Sequence, residues 1–498
     1  MSSPTHALSK SRFVSGLQCR KRLYLETHHR ELASEPSVGL RRIFDSGHAV
    51  GELAQKEFPE GRLIDAPFYD TATALRDTES ALDAGVRVLY EPAFLYRGVL
   101  VRVDILRKGD DGRWHMIEVK STTGVSDTHI ADVAIQRYVT EGAGLQVASC
   151  YVMHLNRDCR YPDLSNLFVL DDVTEAVTGA FADISALVTE FTGILLEDSA
   201  PDVPIGAHCT RPYECPFKAH CWSHVSEPSI FTIPRLNERK IAQLVGKGIT
   251  TIADLPETFP LSENQRRYVA VAKGAEPRIL WPSIADALRE LTFPLYFLDF
   301  ETMAEAVPRH HGLGPYRPYP FQYSLHIMQP DGTLEHREYL HPDGSDPRAP
   351  LAEQLLSDIG VVGTIVAWNA SFEKRVISDL ATHLPRLRRN LRSLLSRFFD
   401  LLPIFRDFYI HPGFRGSASI KDVLPVLVPE LSYATLEVQA GDVAQVAWLQ
   451  MLSTDDDSER LSLADSLKAY CALDTLAMVR IYEVLLEQLR SMGLPATC

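Results

Sequence analysis

The segment LYFLDFETM, residues 295–303, narrows the possible folds more than any other stretch of this 498-residue chain. Its apolar residues read as a buried strand, yet it carries two carboxylates. Residues i and i+2 of a strand share a face, so Asp299 and Glu301 point the same way. Burying unpaired carboxylates is costly unless cations compensate them. Two later segments add partners. VAWNASFEKRV reads as a strand end, a polar turn and Glu373 in the first turn of a helix. A C-terminal helix from about Ser462 carries YCALD, with Tyr470 and Asp474 four residues apart and therefore on one face. Acids delivered by a strand, a helix start and a terminal helix can hold two Mg²⁺ or Mn²⁺ ions about 4 Å apart, the geometry for in-line attack on a phosphodiester. Tyr470 would position the attacking water. Asp400, in FFDLLPIFR, reads either as a further partner of that set or as a helix N-terminal acid. Lys421, in GSASIKDVLP, is a candidate phosphate contact.

A second acidic constellation lies nearer the N-terminus. GVLVRVDILRKGDDGRWHMIEVKS reads as two strands joined by a Gly/Asp turn, with Asp104 on the first and Glu118 and Lys120 on one face of the second. Two carboxylates supply the hard oxygen ligands that Mg²⁺ prefers, and the lysine can orient water or stabilise developing charge. A lone D…ExK pattern also arises by chance on amphipathic strands.

Cysteine is used eight times, and three of the eight sit at even steps in CTRPYECPFKAHC: Cys209, Cys215 and Cys221. Cys150, Cys159, Cys471 and Cys498 are scattered and read as buried or free thiols. The opening MSSPTHALSKSRF has no apolar core of a signal peptide, and no apolar run reaches the ~18 residues that cross a bilayer. The expectation is a cytoplasmic chain with no membrane partner, whose eight cysteines do not form a disulfide framework.

A net charge of −15 argues against a generic polyanion binder but not against an enzyme that acts on nucleic acid through local basic patches. Two such patches occur, CRKR at Cys19–Arg22 and RLRRNLRSLLSR at Arg386–Arg397; for a charge run alone, a solvated helix face is the plainer reading. The chain is too long for one core. Residues 1–225 read as mixed α/β, residues 226–285 as a helical module in which helix, GKGI turn and helix are helix-hairpin-helix-like, and residues 286–498 as a second α/β domain.

The first of these regions resembles the iron–sulfur RecB-type PD-(D/E)xK nucleases. The resemblance rests on Asp104, Glu118 and Lys120, on His48 in RIFDSGHAVGELA upstream, and on Gln136 in AIQRYV downstream, with Tyr138 two residues on. It implies a restriction-endonuclease-like fold in which His48, Asp104 and Glu118 hold Mg²⁺ or Mn²⁺ and Lys120 and Gln136 serve catalysis. It also implies that Cys19, in FVSGLQCRKRLYL, joins Cys209, Cys215 and Cys221 around a [4Fe–4S] cluster, with Zn²⁺ as the alternative. The C-x₅-C-x₅-C spacing differs from that family's commoner C-x₂-C-x₅-C.

Residues 286–498 resemble the DnaQ-like (DEDDy) 3′–5′ exonucleases, through DxE at Asp299 and Glu301, N-x-x-F-acid ending at Glu373, and Y-x-x-x-D at Tyr470 and Asp474. Glu373 stands where that superfamily has Asp. The resemblance implies an RNase H-like fold. As a whole the chain resembles a bacterial family that fuses the two kinds of domain. The resemblance thus implies a metal-dependent nuclease acting on DNA ends or single strands, in repair or defence. The alternatives are an RNA-processing exonuclease or a nucleic-acid-binding scaffold with one or both sites silent. No Walker A motif is present, so any helicase would be a separate partner. The oligomeric state is left open.

Overall fold

The computed structural model describes residues 8–274 and 276–495. Residues 1–7 of the N-terminal stretch, and Cys498, lie outside the described residues. The chain divides into two compact mixed α/β units, Met1–His224 with Ala306–Tyr316, and Val225–Glu305 with Arg317–Cys498. The segment 226–285, which reads from sequence as a separate module, falls within the second unit. Among the described residues no helix is long and apolar enough to cross a membrane.

In chain order the first unit contains β1 (Leu8–Ser9), α1 (Lys10–Gln18), α2 (Arg20–His28), α3 (Val38–Gln55), β2 (Arg62–Leu63), α4 (Thr71–Asp83), β3 (Val88–Tyr90), β4 (Ala93–Tyr96), β5 (Val99–Arg102), β6 (Ile105–Lys108), β7 (Trp114–Lys120), α5 (Asp127–Gly142), β8 (Val147–Leu155), β9 (Phe168–Asp172), α6 (Thr174–Ile194) and α7 (Lys218–Cys221). Its main sheet runs β2-β3-β6-β7-β8-β9, and a small sheet runs β1-β5-β4. β7 is central, antiparallel to β6 and parallel to β8. Its alternation decides where the charges go. Ile117 and Val119 pack with Tyr151 and Met153 on one face, so Glu118 and Lys120 take the other face with Met116.

The hairpin expected from sequence is β6–β7. Asp104 is not inside one of its strands, as the sequence pattern suggests. It lies in the bend between β5 and β6, where the chain leaves the small sheet for the large one. Glu91, facing it across the pair, adopts φ 56° and donates its N–H to the Asp104 carbonyl at 3.2 Å. Both chains kink at the same level, and the bend frees the Asp104 carboxylate to accept the Val119 N–H at 2.7 Å.

The second unit contains α8 (Glu238–Val245), α9 (Glu263–Gly274), β10 (Arg278–Ile279), α10 (Trp281–Leu288), β11 (Leu295–Met303), β12 (Tyr319–Met328), β13 (Leu334–Leu340), α11 (Arg348–Asp358), β14 (Thr364–Ala367), α12 (Ser371–His383), α13 (Arg388–Leu394), β15 (Phe398–Asp400), β16 (Tyr409–Ile410), α14 (Ile420–Leu427), α15 (Gly441–Ser453) and α16 (Asp457–Ser491). The sheet runs β13-β12-β11-β14-β15, antiparallel through β13, β12 and β11 and parallel from β11 to β15. Leu298 and Phe300 of β11 join Leu325, Leu351 and Ile377 in a core under α11 and α12. The opposite face of β11 therefore carries Phe297, Asp299 and Glu301. α16 closes that face, and the Phe297 and Tyr482 rings lie 5.9 Å apart. Buried residues of α16 recur at three- and four-residue steps, including Tyr470, Cys471, Asp474, Thr475, Met478, Tyr482 and Leu485, the stripe of a helix packed on a sheet.

The GKGI segment caps α8. The N–H groups of Gly246, Lys247, Gly248 and Ile249 donate to the carbonyls of Ala242, Leu244, Val245 and Leu244. Gly248 takes φ 74°, as a residue ending a helix in this way must. The next helix starts only at Glu263. The turn amides that a helix-hairpin-helix would turn to phosphate are committed to the helix instead.

Candidate functional site

In the second unit, Asp299, Glu301 and Asp474 present carboxylate oxygens within 4.8 Å of one another. Among the described residues this is the one set of three metal-ligating side chains that converges so closely. β11 supplies two of the three by alternation, and α16 supplies the third because its stripe faces β11. Glu301 and Asp474 are each only 8% exposed. Burial, and then the charges of Asp474, Glu301 and Glu373, push the Asp299 carboxyl well above its ordinary range. Burial and Asp474 push Glu301 up to about 8. Burial raises Asp474 to about 6, against hydrogen bonds from Tyr433 and Tyr470 and the charge of Lys421.

Glu373, at the start of α12, is 2% exposed but stands outside the three-acid set. Its charge acts on Asp299, and its Oε2 has no hydrogen-bond partner. Burial raises its carboxyl to about 8, with Asp400 adding to the rise. Asp400 ends β15 and accepts the N–H groups of Asn369 and Leu402, both at 3.0 Å. It thus holds the turn at Asn369, whose φ is 70°, and so fixes the start of α12. Asp400 lies behind Glu373 and does not join the close acidic set.

A cavity of about 450 Å³ opens over these acids, lined also by Trp368, Phe372, Lys421, Asp442, Tyr470 and Met478. Trp368 stacks on Phe405 at 5.0 Å and donates its indole N–H to the Ala418 carbonyl at 3.0 Å. The Lys421 ammonium donates to the Gln439 carbonyl at 2.7 Å and lies over the Tyr433 and Tyr470 rings at 5.5 and 5.4 Å. Tyr433 is a site residue that sequence reading missed. Its hydroxyl donates to Asp474 Oδ1 at 2.6 Å, yet it opens a single 3-10 turn, Tyr433–Thr435, too short to carry a periodic signal. Cys471, read as a scattered thiol, lies 3.8 Å from Asp299 Oδ2.

In the first unit, the Glu118 carboxylate is 1% exposed and is held by three donors. Lys10 Nζ approaches its two oxygens at 3.0 and 3.3 Å, Lys120 Nζ at 2.8 Å, and Gln136 Nε2 at 2.7 Å. Burial opposes ionisation of Glu118, but the two ammonium groups outweigh it and hold the carboxyl well below its usual range. Asp104 goes the other way, raised to about 7 by burial and the Glu118 charge. Lys120 also pairs with Asp132 at 2.5 Å. Asp132 lies one turn before Gln136 on α5, a spacing the sequence did offer. Gln136 Oε1 is buried without a partner, an acceptor still open beside the carboxylates. Lys10, which lies 108 residues from Glu118, carried no such signal.

His48 on α3 is exposed, and its charge bears on Glu91. It forms no close three-ligand set with Asp104 and Glu118. Tyr138 packs on Tyr96 at 5.4 Å, turned around α5 from Gln136.

Cys19, Cys209, Cys215 and Cys221 line one cavity with His208, Arg22 and Phe217. Cys19 comes to it by sitting in extended conformation between α1 and α2. The neighbouring Gln18 donates to the His208 and Tyr213 carbonyls at 2.7 and 2.8 Å, fastening α1 to the cysteine loop. No three of the four thiols fall within 4.8 Å of one another. Burial raises Cys19, Cys221 and, to about 11, Cys215. His208 Nε2, 3.7 Å from Cys209 Sγ, is a further nearby donor.

The basic patches are engaged within the fold only in part. Arg20 pairs with Glu190 and Arg22 with Glu26. Arg397 donates to the carbonyls of Gly360, Val362 and Gly363. Arg386, Arg389 and Arg392 are exposed.

A family model described as a domain of unknown function (DUF2779) matches residues 296–419. The matched span holds Asp299, Glu301, Glu373 and Asp400, and ends before Lys421, Tyr433, Tyr470 and Asp474. No curated protein matches the chain. Among matching solved structures, one titled "Crystal structure of SSO0001" is 14% identical, with 45% of this chain and 90% of that one covered and a TM-score of 0.24.

Proposed function

We propose that the chain is a metal-dependent nuclease whose principal active site is the Asp299–Glu301–Asp474 cluster. The observation that carries this reading is the convergence of three carboxylates whose burial and mutual repulsion resist ionisation without a cation. Asp299, Glu301 and Asp474 would hold Mg²⁺ or Mn²⁺, and the unpartnered Glu373 oxygen is an acceptor for a second ion. Such ions polarise the phosphate and generate the nucleophile from water. The chain's own groups do the rest. Lys421 offers a positive charge at the cavity wall, Tyr470 a hydroxyl beside Asp474, and Trp368 and Phe372 aromatic faces for a terminal base. DNA ends or single strands are the favoured substrate. The mixed sheet with its acid-bearing strand at the centre supports an RNase H-like, DnaQ-like assignment for this unit.

The first unit is proposed as a RecB-type, restriction-endonuclease-like domain. Asp104 and Glu118 would bind metal, Lys120 and Gln136 would assist, and Asp132 would hold Lys120. The open Gln136 oxygen fits a hydrated cation. Four cysteines around one cavity suit a metal centre. A single tetrahedral zinc, with Zn–S of about 2.3 Å, draws its sulfurs to within roughly 4 Å of one another. An iron–sulfur cluster is the favoured occupant and Zn²⁺ the alternative; assembly of either would release protons from the raised thiols.

The test is degradation of end-labelled single- and double-stranded DNA and RNA with Mg²⁺ or Mn²⁺. The proposal expects loss of activity in Asp299→Ala with Asp474→Ala; a wild-type protein that degrades nothing would overturn it. Anaerobic purification with a visible absorption spectrum tests the cluster: a colourless protein with stoichiometric zinc excludes iron–sulfur. Cys19→Ala and Cys215→Ala should lose the absorption equally.

A further inference from the structure

We propose that Lys10 is a resident counter-ion of the first site. In this assignment it competes with a divalent cation for Asp104 and Glu118, and it is released onto the phosphate of a bound nucleic acid, so that metal and substrate bind cooperatively. The inference rests on reading Asp104 and Glu118 as a metal site, and goes beyond it by assigning a residue and a coupling.

Lys10 is placed by its backbone. Leu8 and Ser9 pair with Val99 and Leu100 of β5, and Leu8 is 1% exposed. The Ser9 hydroxyl accepts the Arg12 N–H at 3.3 Å and starts α1, whose Phe13 is fully buried against Phe191. Between these anchors Lys10 is the first residue of the helix. Its Nζ touches both Glu118 oxygens, at 3.0 and 3.3 Å, and stands 4.0 Å from Asp104 Oδ1. An ammonium that spans two oxygens of one carboxylate and reaches the other carboxylate occupies the position a bridging cation would take.

Lys120 does not compete in this way. It approaches Glu118 from the Asp132 side and is tied there by that second carboxylate. Lys10 has no second carboxylate within hydrogen-bond distance: Asp104 stands 4.0 Å away, and Asp132 and Glu91 act on it only through their charges. A divalent ion entering between Asp104 and Glu118 must displace Lys10. A displaced ammonium in a three-quarters-buried position needs another anion. Its four-carbon stem lets it swing without moving α1, and a phosphodiester beside the metal supplies the charge. Metal alone therefore binds weakly, and metal with nucleic acid binds well.

The test uses the full chain carrying Asp299→Asn and Asp474→Asn, so that Mn²⁺ binding reports the first site. Isotherms are recorded by calorimetry with and without a phosphorothioate single strand that resists cleavage. The parent, Lys10→Arg and Lys10→Met are compared, and hydrogen exchange of the β7 peptide checks the fold. The expected result is that the oligonucleotide tightens Mn²⁺ binding roughly tenfold in the parent and in Lys10→Arg. Lys10→Met should bind Mn²⁺ roughly tenfold more tightly without the oligonucleotide and lose most of the coupling. If Lys10→Met disturbs β7, Lys10→Gln repeats the comparison. Equal or weaker Mn²⁺ binding in the neutral variants overturns the role of Lys10 alone. Absence of Mn²⁺ binding in every variant overturns the metal-site reading, and this proposal with it.

Discussion

Glu118 and Glu301 are both buried carboxylates on central strands, but their surroundings differ. Glu118 is flanked by two lysine ammonium groups and a glutamine amide. Glu301 sits among acids, with Lys421 the charge that opposes them. In one place the protein supplies two ammonium groups in contact with the carboxylate; in the other a single lysine opposes several acids. A carboxylate that is already paired adds stability before any metal arrives, whereas a cluster of unpaired carboxylates stores repulsion that a metal relieves.

The largest effect that separates the two sites is the response to neutralising one acid without changing its shape. Glu118→Gln removes the partner of Lys10 and Lys120 and should destabilise the first unit by about 3 kcal/mol, the cost of breaking a buried ion pair on one side. Asp299→Asn removes repulsion and, without divalent metal, should leave the second unit unchanged or slightly more stable. Hydrogen exchange read separately on the β7 and β11 peptides distinguishes the units, since a two-unit chain has no single unfolding free energy. If Asp299→Asn loosens β11 as much as Glu118→Gln loosens β7, the contrast between the sites is wrong.

The contrast also shows which parts of the molecule could be read in advance. The placement of Asp299, Glu301 and Asp474 follows from strand alternation and helix spacing, two short-range periodicities that survive folding. Glu118 and Lys120 were legible for the same reason, and Gln136 by its place on the following helix. Asp104 was legible as a residue but not as a position, because strand patterning carries no sign of the switch between sheets at that bend. Lys10 and Tyr433 were not legible at all. Each reaches its carboxylate by a long-range meeting of segments, and each looks like an ordinary polar residue in its own neighbourhood. Glu373 was identified from its motif, but its separation from the three-acid set depends on the exact aim of the first turn of α12, which Asp400 fixes from another strand.

A second, smaller effect concerns pH. Glu301 and Glu373 are raised to about 8 and Asp474 to about 6, against about 4 in an unfolded chain. Between pH 4 and 8 the folded second unit thus binds more protons than the unfolded chain does. Its stability must fall as pH rises through that window when no metal is present. Glu118 has the opposite sign: its lowered carboxyl adds stability that is present above its ordinary range and is lost only on acidification. Asp104, raised to about 7, shares the sign of the second unit's acids. Protection of both peptides in EDTA should therefore fall from pH 6 to pH 8, that of β11 more because several raised acids release protons there. Mn²⁺ should restore β11 more strongly at pH 8, because it no longer competes with protons. Equal Mn²⁺ protection of β11 at both pH values would remove the argument that these acids are compensated only in part.

The smallest effect separates a pKa-setting role from a packing role within the second site. The Tyr433 hydroxyl donates to Asp474 at 2.6 Å, and a hydrogen bond to a charged acceptor favours the charged form. Tyr433→Phe keeps the ring beside Tyr470 and removes only that donor. The Asp474 carboxyl should then rise above its value of about 6, though only in part, because Tyr470 and Lys421 still favour its ionised form. A nuclease that needs ionised Asp474 would show the acid limb of its pH–rate profile moved upward by less than about one unit, a shift worth at most roughly 1.4 kcal/mol. Activity would fall severalfold at pH 6 and approach that of the wild type at pH 9. A uniform loss across the profile, with the limb unmoved, would instead make Tyr433 a packing residue whose hydroxyl does not set the charge of Asp474.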